Sequence, residues 1–375
     1  HYRSRGCPVV LGGVHASVLP QEAEGRADSV VIGDAEPVWE RVLDDAANGH
    51  LEPRYESDFA ALDGIRRPRL DLFRGRYMFA PVSASRGCPF KCEFCAINTF
   101  YRGSYRRRPP DEVVEELCAL GTSPVFFTDG NLYGHSHRDR ETFVSLCRGL
   151  RRAQQQGRCR VRHWMCYASV NALEDDEALA LAAETGCRTL FVGFESIDPD
   201  ALREMRKLIN LKYGPDSYPA MIRNAQQHGL LVVGEIVVGT DHDTPDSLVR
   251  TAAFIENAGL DLLRLQILQP LPGTDLFSRL QKEGRLLIAD FPDDWRLLAQ
   301  DFVMGVHYKT KQISRQELQR WVVETGTRFY RSSRILARLP GVARRSGSLT
   351  VPAILLFSSL RSRKTYRNFV VRENT

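Results

Sequence analysis

Lysine is scarce in this chain: of 51 basic residues in 375, only seven are lysine and the rest are arginine. The skew reads as base composition in the source and carries no functional weight. Also missing is any apolar run of the roughly 18–20 residues that a membrane-spanning helix needs. The longest candidate, Leu349–Leu360, has 12 residues and contains Pro352. The opening His-Tyr-Arg-Ser-Arg has neither methionine nor a secretory apolar core, so the sequence reads as starting in the middle of a domain. Nine cysteines in so long a chain are odd in number, which excludes a secreted disulfide scaffold and points to a reducing compartment, the cytoplasm. Acid and base nearly balance, at a formal net charge of +5, but unevenly. Residues 325–375 hold 11 of the 51 basic residues and one of the 46 acidic ones, so the remainder is mildly acidic. That excludes a uniformly basic nucleic-acid binder, and no nucleic-acid partner is expected.

What is present is ordinary globular composition, 43% hydrophobic and 26% charged. Residues 1–50 alternate strand and helix: apolar Cys7–Leu11 before Gly12-Gly13, Ser29–Ile32 before Gly33, then helical spacing over Glu36–Ala47. Two strands are too few for a parallel sheet covered on both faces, so this stretch reads as the second half of a doubly wound α/β domain. Residues 51–80 read as a linker. From residue 81 the rhythm becomes regular, with apolar runs at Pro81–Ser85, Val125–Thr128, Val161–Ala168, Thr189–Phe194, Leu230–Val238 and Leu262–Leu268. Helical patterns lie between them, several closed by glycine (Gly121, Gly186, Gly229, Gly259). Six β/α units over 81–285 predict an α/β fold, a partial (β/α)6 TIM-like barrel rather than a closed eightfold one. Residues 286–375 read as a mostly helical, cationic C-terminal region with a break at Gly341–Ser348.

Just after the first barrel strand stands Cys88-Pro89-Phe90-Lys91-Cys92-Glu93-Phe94-Cys95, a C-x3-C-x2-C run on the face where such barrels build their sites. Three thiolates on one loop can hold three irons of a 4Fe-4S cluster and leave the fourth iron open. Zinc is the rival, but it favours paired C-x2-C units and a fourth ligand, which would have to be remote. On this spacing and placement the chain resembles the radical S-adenosylmethionine enzymes. The resemblance covers about residues 80–285. It implies that Cys88, Cys92 and Cys95 ligate a 4Fe-4S cluster whose open iron chelates S-adenosylmethionine, cleaving it to a 5′-deoxyadenosyl radical. It also implies a flavodoxin- or ferredoxin-type reductant. Family positions fall on Phe94, on Asp129, Gly130 and Asn131 after the second strand, and on Ser169 after the third. They fall further on Glu195 at the end of the fourth strand and on Gly234-Glu235 in the fifth. All of these are expected to seat S-adenosylmethionine. No substrate acid or base is identified.

The flanking pieces narrow the branch. Val9–His15 and Ala27–Glu36 resemble the second half of the cobalamin-binding domain that precedes many such barrels. The cobalt-ligating D-x-H-x-x-G motif of that domain is not in the sequence, so cobalamin is an open cofactor question. Gly12, Gly13 and Gly33 are positions where backbone can approach a nucleotide tail, and His15 reads as an ordinary loop histidine. Asp241-His242-Asp243 could be a metal triplet, but a turn capping the next helix is favoured. Cys166–Asn171, Gly239–Thr244 and Pro272-Gly273-Thr274 resemble a subgroup that includes hopanoid-biosynthesis enzymes. That implies a small-molecule or lipid substrate and radical methylation of an unactivated carbon, with a non-methylating radical enzyme as the alternative. Residues 325–372 interleave cations with apolar residues, which suits either contact with the inner membrane face or packing on the barrel. Two further readings, a zinc-stabilised binding module and a membrane-surface adaptor, use the same residues without redox chemistry.

Overall fold

The computed structural model describes residues 1–69, 72, 75, 78–120, 124–288, 290, 292–300, 303–347 and 350–369. The N-terminal strands β1 (Val10–Leu11), β2 (Ser29–Ile32) and β3 (Arg54–Glu56) form one parallel sheet in that order, with α1 (Val14–Val18), α2 (Pro20–Ala23) and α3 (Trp39–Ala47). Strand alternation divides β2 between two small cores. Val30 and Ile32 pack with Ala16 and Ala23, while Val31 packs with Val38, Val42 and Tyr55. β3 lies in the stretch read from sequence as linker; three residues with only Tyr55 buried leave too short an apolar signal.

The barrel starts with β4 (Ala80–Val82). An antiparallel ribbon of β5 (Ser85–Gly87) and β6 (Tyr105–Arg107) follows, enclosing α4 (Ala96–Phe100). The repeating part then runs α5 (Pro110–Ala119), β7 (Val125–Phe127), α6 (His137–Gln155), β8 (Trp164–Ala168), α7 (Asp176–Glu184), β9 (Cys187–Glu195), α8 (Pro199–Glu204), α9 (Leu208–Tyr213), α10 (Tyr218–Gln227), β10 (Leu231–Val238), α11 (Pro245–Asn257), β11 (Leu262–Ile267) and α12 (Asp275–Lys282). Six strands pair in parallel in the order β11-β10-β9-β8-β7-β4. This is the α/β partial barrel expected, with helices outside because a parallel sheet must bury both faces. The ribbon was not legible in advance, because Tyr-Arg-Arg in β6 lacks an apolar alternation. Gly186, Gly229 and Gly259 take left-handed backbone after their helices. Gly121 lies outside the described residues.

Beyond the barrel come α13 (Asp293–Gln300), α14 (Arg315–Phe329), α15 (Ser332–Ser346) and α16 (Thr350–Asn368). The break expected within Gly341–Ser348 falls at the end of that stretch: α15 runs through Pro340 and Gly341 to Ser346 and ends at left-handed Gly347, before α16. Among the described residues β11 is an edge strand, and the C-terminal helices finish it. Tyr330 Oη accepts from Leu263 N–H (2.8 Å) and donates to Leu263 C=O (2.7 Å). Tyr366 Oη does the same for Leu265, at 2.9 and 3.0 Å. Both rings are buried, so these edge groups have little access to water.

Several tail cations are tied down rather than free. Arg328 and Arg334 pair with Glu256 (2.9 and 3.0 Å), Arg345 pairs with Asp261 (2.9 Å), and Arg338 lies 3.9 Å over the Phe329 ring. Replacing Tyr366 with Phe removes both bonds to Leu265 and leaves its edge groups unpaired. The expected loss is about 1–3 kcal/mol of unfolding free energy in denaturant titrations, with an unchanged circular-dichroism spectrum.

Candidate active site

The cysteine loop, residues 88–95, leaves the ribbon at Gly87. There φ is +88° and a Cβ would sit 1.8 Å from Ser104 O, so only glycine lets the ribbon close. Glu93 fastens the middle of the loop. Its N–H donates to Met205 O (3.2 Å), its C=O accepts from Leu276 N–H (3.0 Å), and its buried carboxylate pairs with Arg279 (2.7 Å). Arg279 also reaches Glu204 and Asp241, which links the loop to α8 and α12. Cys92 is buried, while Cys88 and Cys95 are half-buried.

All three thiols face one cavity of about 300 Å³ at the C-terminal ends of the strands. Asp129, Gly130 and Asn131 border it after β7, Ser169 after β8, Glu195 at the end of β9, and Glu235 in β10. Phe94 closes it from the loop. The polar groups are already organised among themselves. Asp129 accepts from Ala84 N–H (3.1 Å) and from Ser85 Oγ, tying the loop's base to β7. Burial pushes its carboxyl up to about 6. Asn131 Nδ2 donates to Ser169 Oγ (2.8 Å), and Ser169 donates on to Asn171 Oδ1.

A buried ion pair closes the far wall: Lys207 Nζ stands 2.7 Å from Glu195 Oε1. Glu195 has φ +60°, a left-handed backbone that is strained for a non-glycine residue and that turns its carboxylate inward. Gly193 makes room beneath, since a Cβ there would lie 2.4 Å from Glu195 Oε1 and 2.8 Å from Lys207 Nζ. Burial opposes the lysine's charge, but the adjoining Glu195 carboxylate outweighs it and holds the ammonium protonated. Burial also pushes the Cys88 thiol up to about 11 and Cys92 up to about 12. Thiolates here therefore need a cationic partner beyond Lys207, which is what iron supplies. Among the described residues no three His, Cys, Asp or Glu side chains are grouped to hold a single metal ion. A cluster asks for less, one thiolate on each of three irons, and this donor set fits it.

Of the eleven residues singled out from sequence, ten border this cavity. The exception is Gly234: alternation along β10 points Glu235 inward and Gly234 outward, where a Cβ would meet Leu260 at 2.6 Å. Its glycine makes room for Leu260, in the turn between α11 and β11. Asp241 is no metal ligand in a triplet; it pairs with Arg285 (2.6 Å) and Lys311 (2.8 Å), which hold its carboxyl down at about 2 against burial. Asp243 accepts from Gly239 N–H and Thr240 N–H, and Thr244 caps α11. His15 pairs with Glu22 (2.9 Å) beside a separate, largely apolar cavity of about 350 Å³ between α1 and α13. Gly13 has open space beside it, a Cβ at Gly12 would make ordinary contact with Val31 at 3.6 Å, and Gly33 is covered by Ser57. Lys207 was missed. The available signal was its type, a lysine kept at the site in an arginine-rich chain.

Residues 82–255 match the Radical SAM superfamily. The chain is 28% identical over 352 residues to the bacteriochlorophyllide d C-12(1)-methyltransferase of Chlorobaculum tepidum, covering 90% of this chain and 72% of that protein. It is 30% identical to the hopanoid C-2 methylase of Rhodopseudomonas palustris, covering 76% of this chain and 54% of that protein. In fold it is similar to the cobalamin-dependent S-adenosylmethionine radical enzyme OxsB with aqua-cobalamin bound, at TM-score 0.60 and 14% identity. That likeness takes in 98% of this chain and 60% of OxsB. It is similar also to TsrM from Kitasatospora setae, at TM-score 0.61 and 18% identity, covering 76% of this chain and 62% of TsrM. The chain thus spans between about half and three quarters of these relatives. Lys207→Met, which leaves Glu195 buried and unpaired, is expected to cost about 3–5 kcal/mol of stability in denaturant unfolding. Adding Glu195→Gln should recover part of that loss.

Proposed function

We propose that this chain, whose residues 82–255 match the Radical SAM superfamily, is a cobalamin-associated radical methyltransferase acting on an unactivated carbon. The observation that carries this reading is the single cavity that gathers three thiols from one loop with polar ends of four strands. Cys88, Cys92 and Cys95 would hold a 4Fe-4S cluster, which when bound supplies the electron that cleaves S-adenosylmethionine to a 5′-deoxyadenosyl radical. Lys207 neutralises thiolate charge at the same wall and offers its remaining donors to the methionyl carboxylate. Asn131 and Ser169 present hydrogen-bonding groups already oriented by Asn171. Asp129, buried against the loop's base, receives the methionyl ammonium with Gly130 alongside. Glu195 takes the ribose hydroxyls, and Glu235 lies toward the adenine. Phe90, Phe94 and Ile97 keep water out from the loop side.

The methyl donor is proposed to be cobalamin, which the cobalamin-dependent neighbour OxsB binds, seated here against the β1–β3 sheet. The substrate is a small molecule or lipid, and the reductant is of flavodoxin or ferredoxin type. Peripheral membrane contact is assigned to the outer face of α15 and α16, where Leu336, Phe357 and Leu360 are exposed beside Arg331, Arg361 and Lys364.

Anaerobic reconstitution should give about four irons per chain and dithionite-dependent cleavage of S-adenosylmethionine, both lost in Cys92→Ala. One bound zinc and no iron would overturn the assignment in favour of a zinc-stabilised module. Product methylation that persists without methylcobalamin would leave radical chemistry standing but remove the donor. Sedimentation with anionic vesicles should weaken in Phe357→Ser, and no vesicle binding by the unmodified chain would refute the membrane contact.

A further inference from the structure

A second cavity, of about 320 Å³, opens beside the first and shares with it Phe94, Cys95, Ile97, Tyr167 and Glu235. Its far wall is β11, a strand outside the stretch that matches the superfamily. With Val237 of β10 and the residues just after β11, the lining is apolar at Val237, Ile267, Leu268 and Leu271 and neutral polar at Gln266 and Gln269. One cation interrupts it. Arg264, level with Glu235 in the β10–β11 ladder, uses a single nitrogen, Nη1, for both of its side-chain contacts: Glu235 Oε1 at 2.8 Å and Tyr167 Oη at 2.9 Å. Tyr167 is itself braced by Phe126 and Phe191, with ring centroids 5.5 and 5.1 Å away. The guanidinium is therefore fixed in orientation through one corner. Its Nε and Nη2 edge is left for the cavity, and its side chain stays 41% exposed.

That free edge is a planar two-donor fork, the geometry that pairs bidentately with a carboxylate and poorly with a neutral amide or hydroxyl. Once a bound ligand displaces water from the guanidinium, the discrimination is strengthened, because an unmatched guanidinium edge then goes unsatisfied. The shared wall with the first cavity places a ligand held here next to the cysteine loop. Resting on the proposed radical chemistry of that first cavity, we propose that the second cavity is the substrate site and that it selects a molecule with an apolar body and a carboxylate anchored by Arg264. Tyr167 and Glu235 act as positioning residues for the guanidinium.

The probes are 4-phenylbutyrate and its carboxamide, titrated calorimetrically into the anaerobically reconstituted full chain. The acid is expected to bind at least about tenfold more tightly than the amide. Arg264→Met should abolish that preference, and Arg264→Lys should retain part of it as a point charge. Equal binding of acid and amide by the unmodified chain, no acid binding at millimolar concentration, or a preference that survives in a folded Arg264→Met variant would each overturn the assignment. Iron content and S-adenosylmethionine cleavage of the same samples report separately. A preparation that prefers the acid but assembles no cluster removes the radical reading and keeps the pocket, whereas full cleavage without the preference does the reverse.

Discussion

Stopping a parallel sheet at six strands is the constraint from which the rest of this structure follows. Eight strands would close on themselves and fill the middle with side chains; six leave an interior too wide to fill and an edge with nothing to pair with. The interior becomes two adjoining cavities, and the edge becomes a demand that other parts of the chain must meet. The cysteine loop, α12 and the C-terminal helices all respond to one or other of those consequences.

Inside the opening, charge is admitted only where it is compensated. Lys207 is buried against Glu195, Arg264 is pinned by Glu235 and Tyr167, and Asp129 is spread over Ala84 N–H and Ser85. Each arrangement fixes a polar group before any ligand arrives, so less ordering is left for the moment of binding. The two cations divide the interior by chemistry. Lys207 faces sulfur, while Arg264 faces carbon-lined space, and Tyr167 and Glu235 stand between them.

Much of this was legible from residues alone. The six barrel strands appear as apolar runs within a few residues of their observed ends, because parallel strands buried on both faces must be continuously apolar. Cys88, Cys92 and Cys95 were visible through spacing. What escaped were features with no period. β6 is three polar residues held by a ribbon partner, and β3 is three residues with one buried ring. Lys207 and Arg264 escaped for a related reason. A single charged residue in a helix or strand looks like surface until the fold shows which way it points. Gly234 illustrates the same limit in reverse: two neighbours in one strand, both assigned to one site, must point to opposite faces.

The tyrosine caps on β11 bear on where this protein may be divided. The stretch recognisable as a superfamily domain ends at residue 255, before β11 begins, and the hydroxyls that finish that strand come from positions 330 and 366. A fragment trimmed to the recognisable part would lose its last strand, and one trimmed after β11 would present a bare row of amide groups to any other chain. The C-terminal helices are therefore no exchangeable appendage: recombination across residue 285 would trade a covered strand edge for an adhesive one.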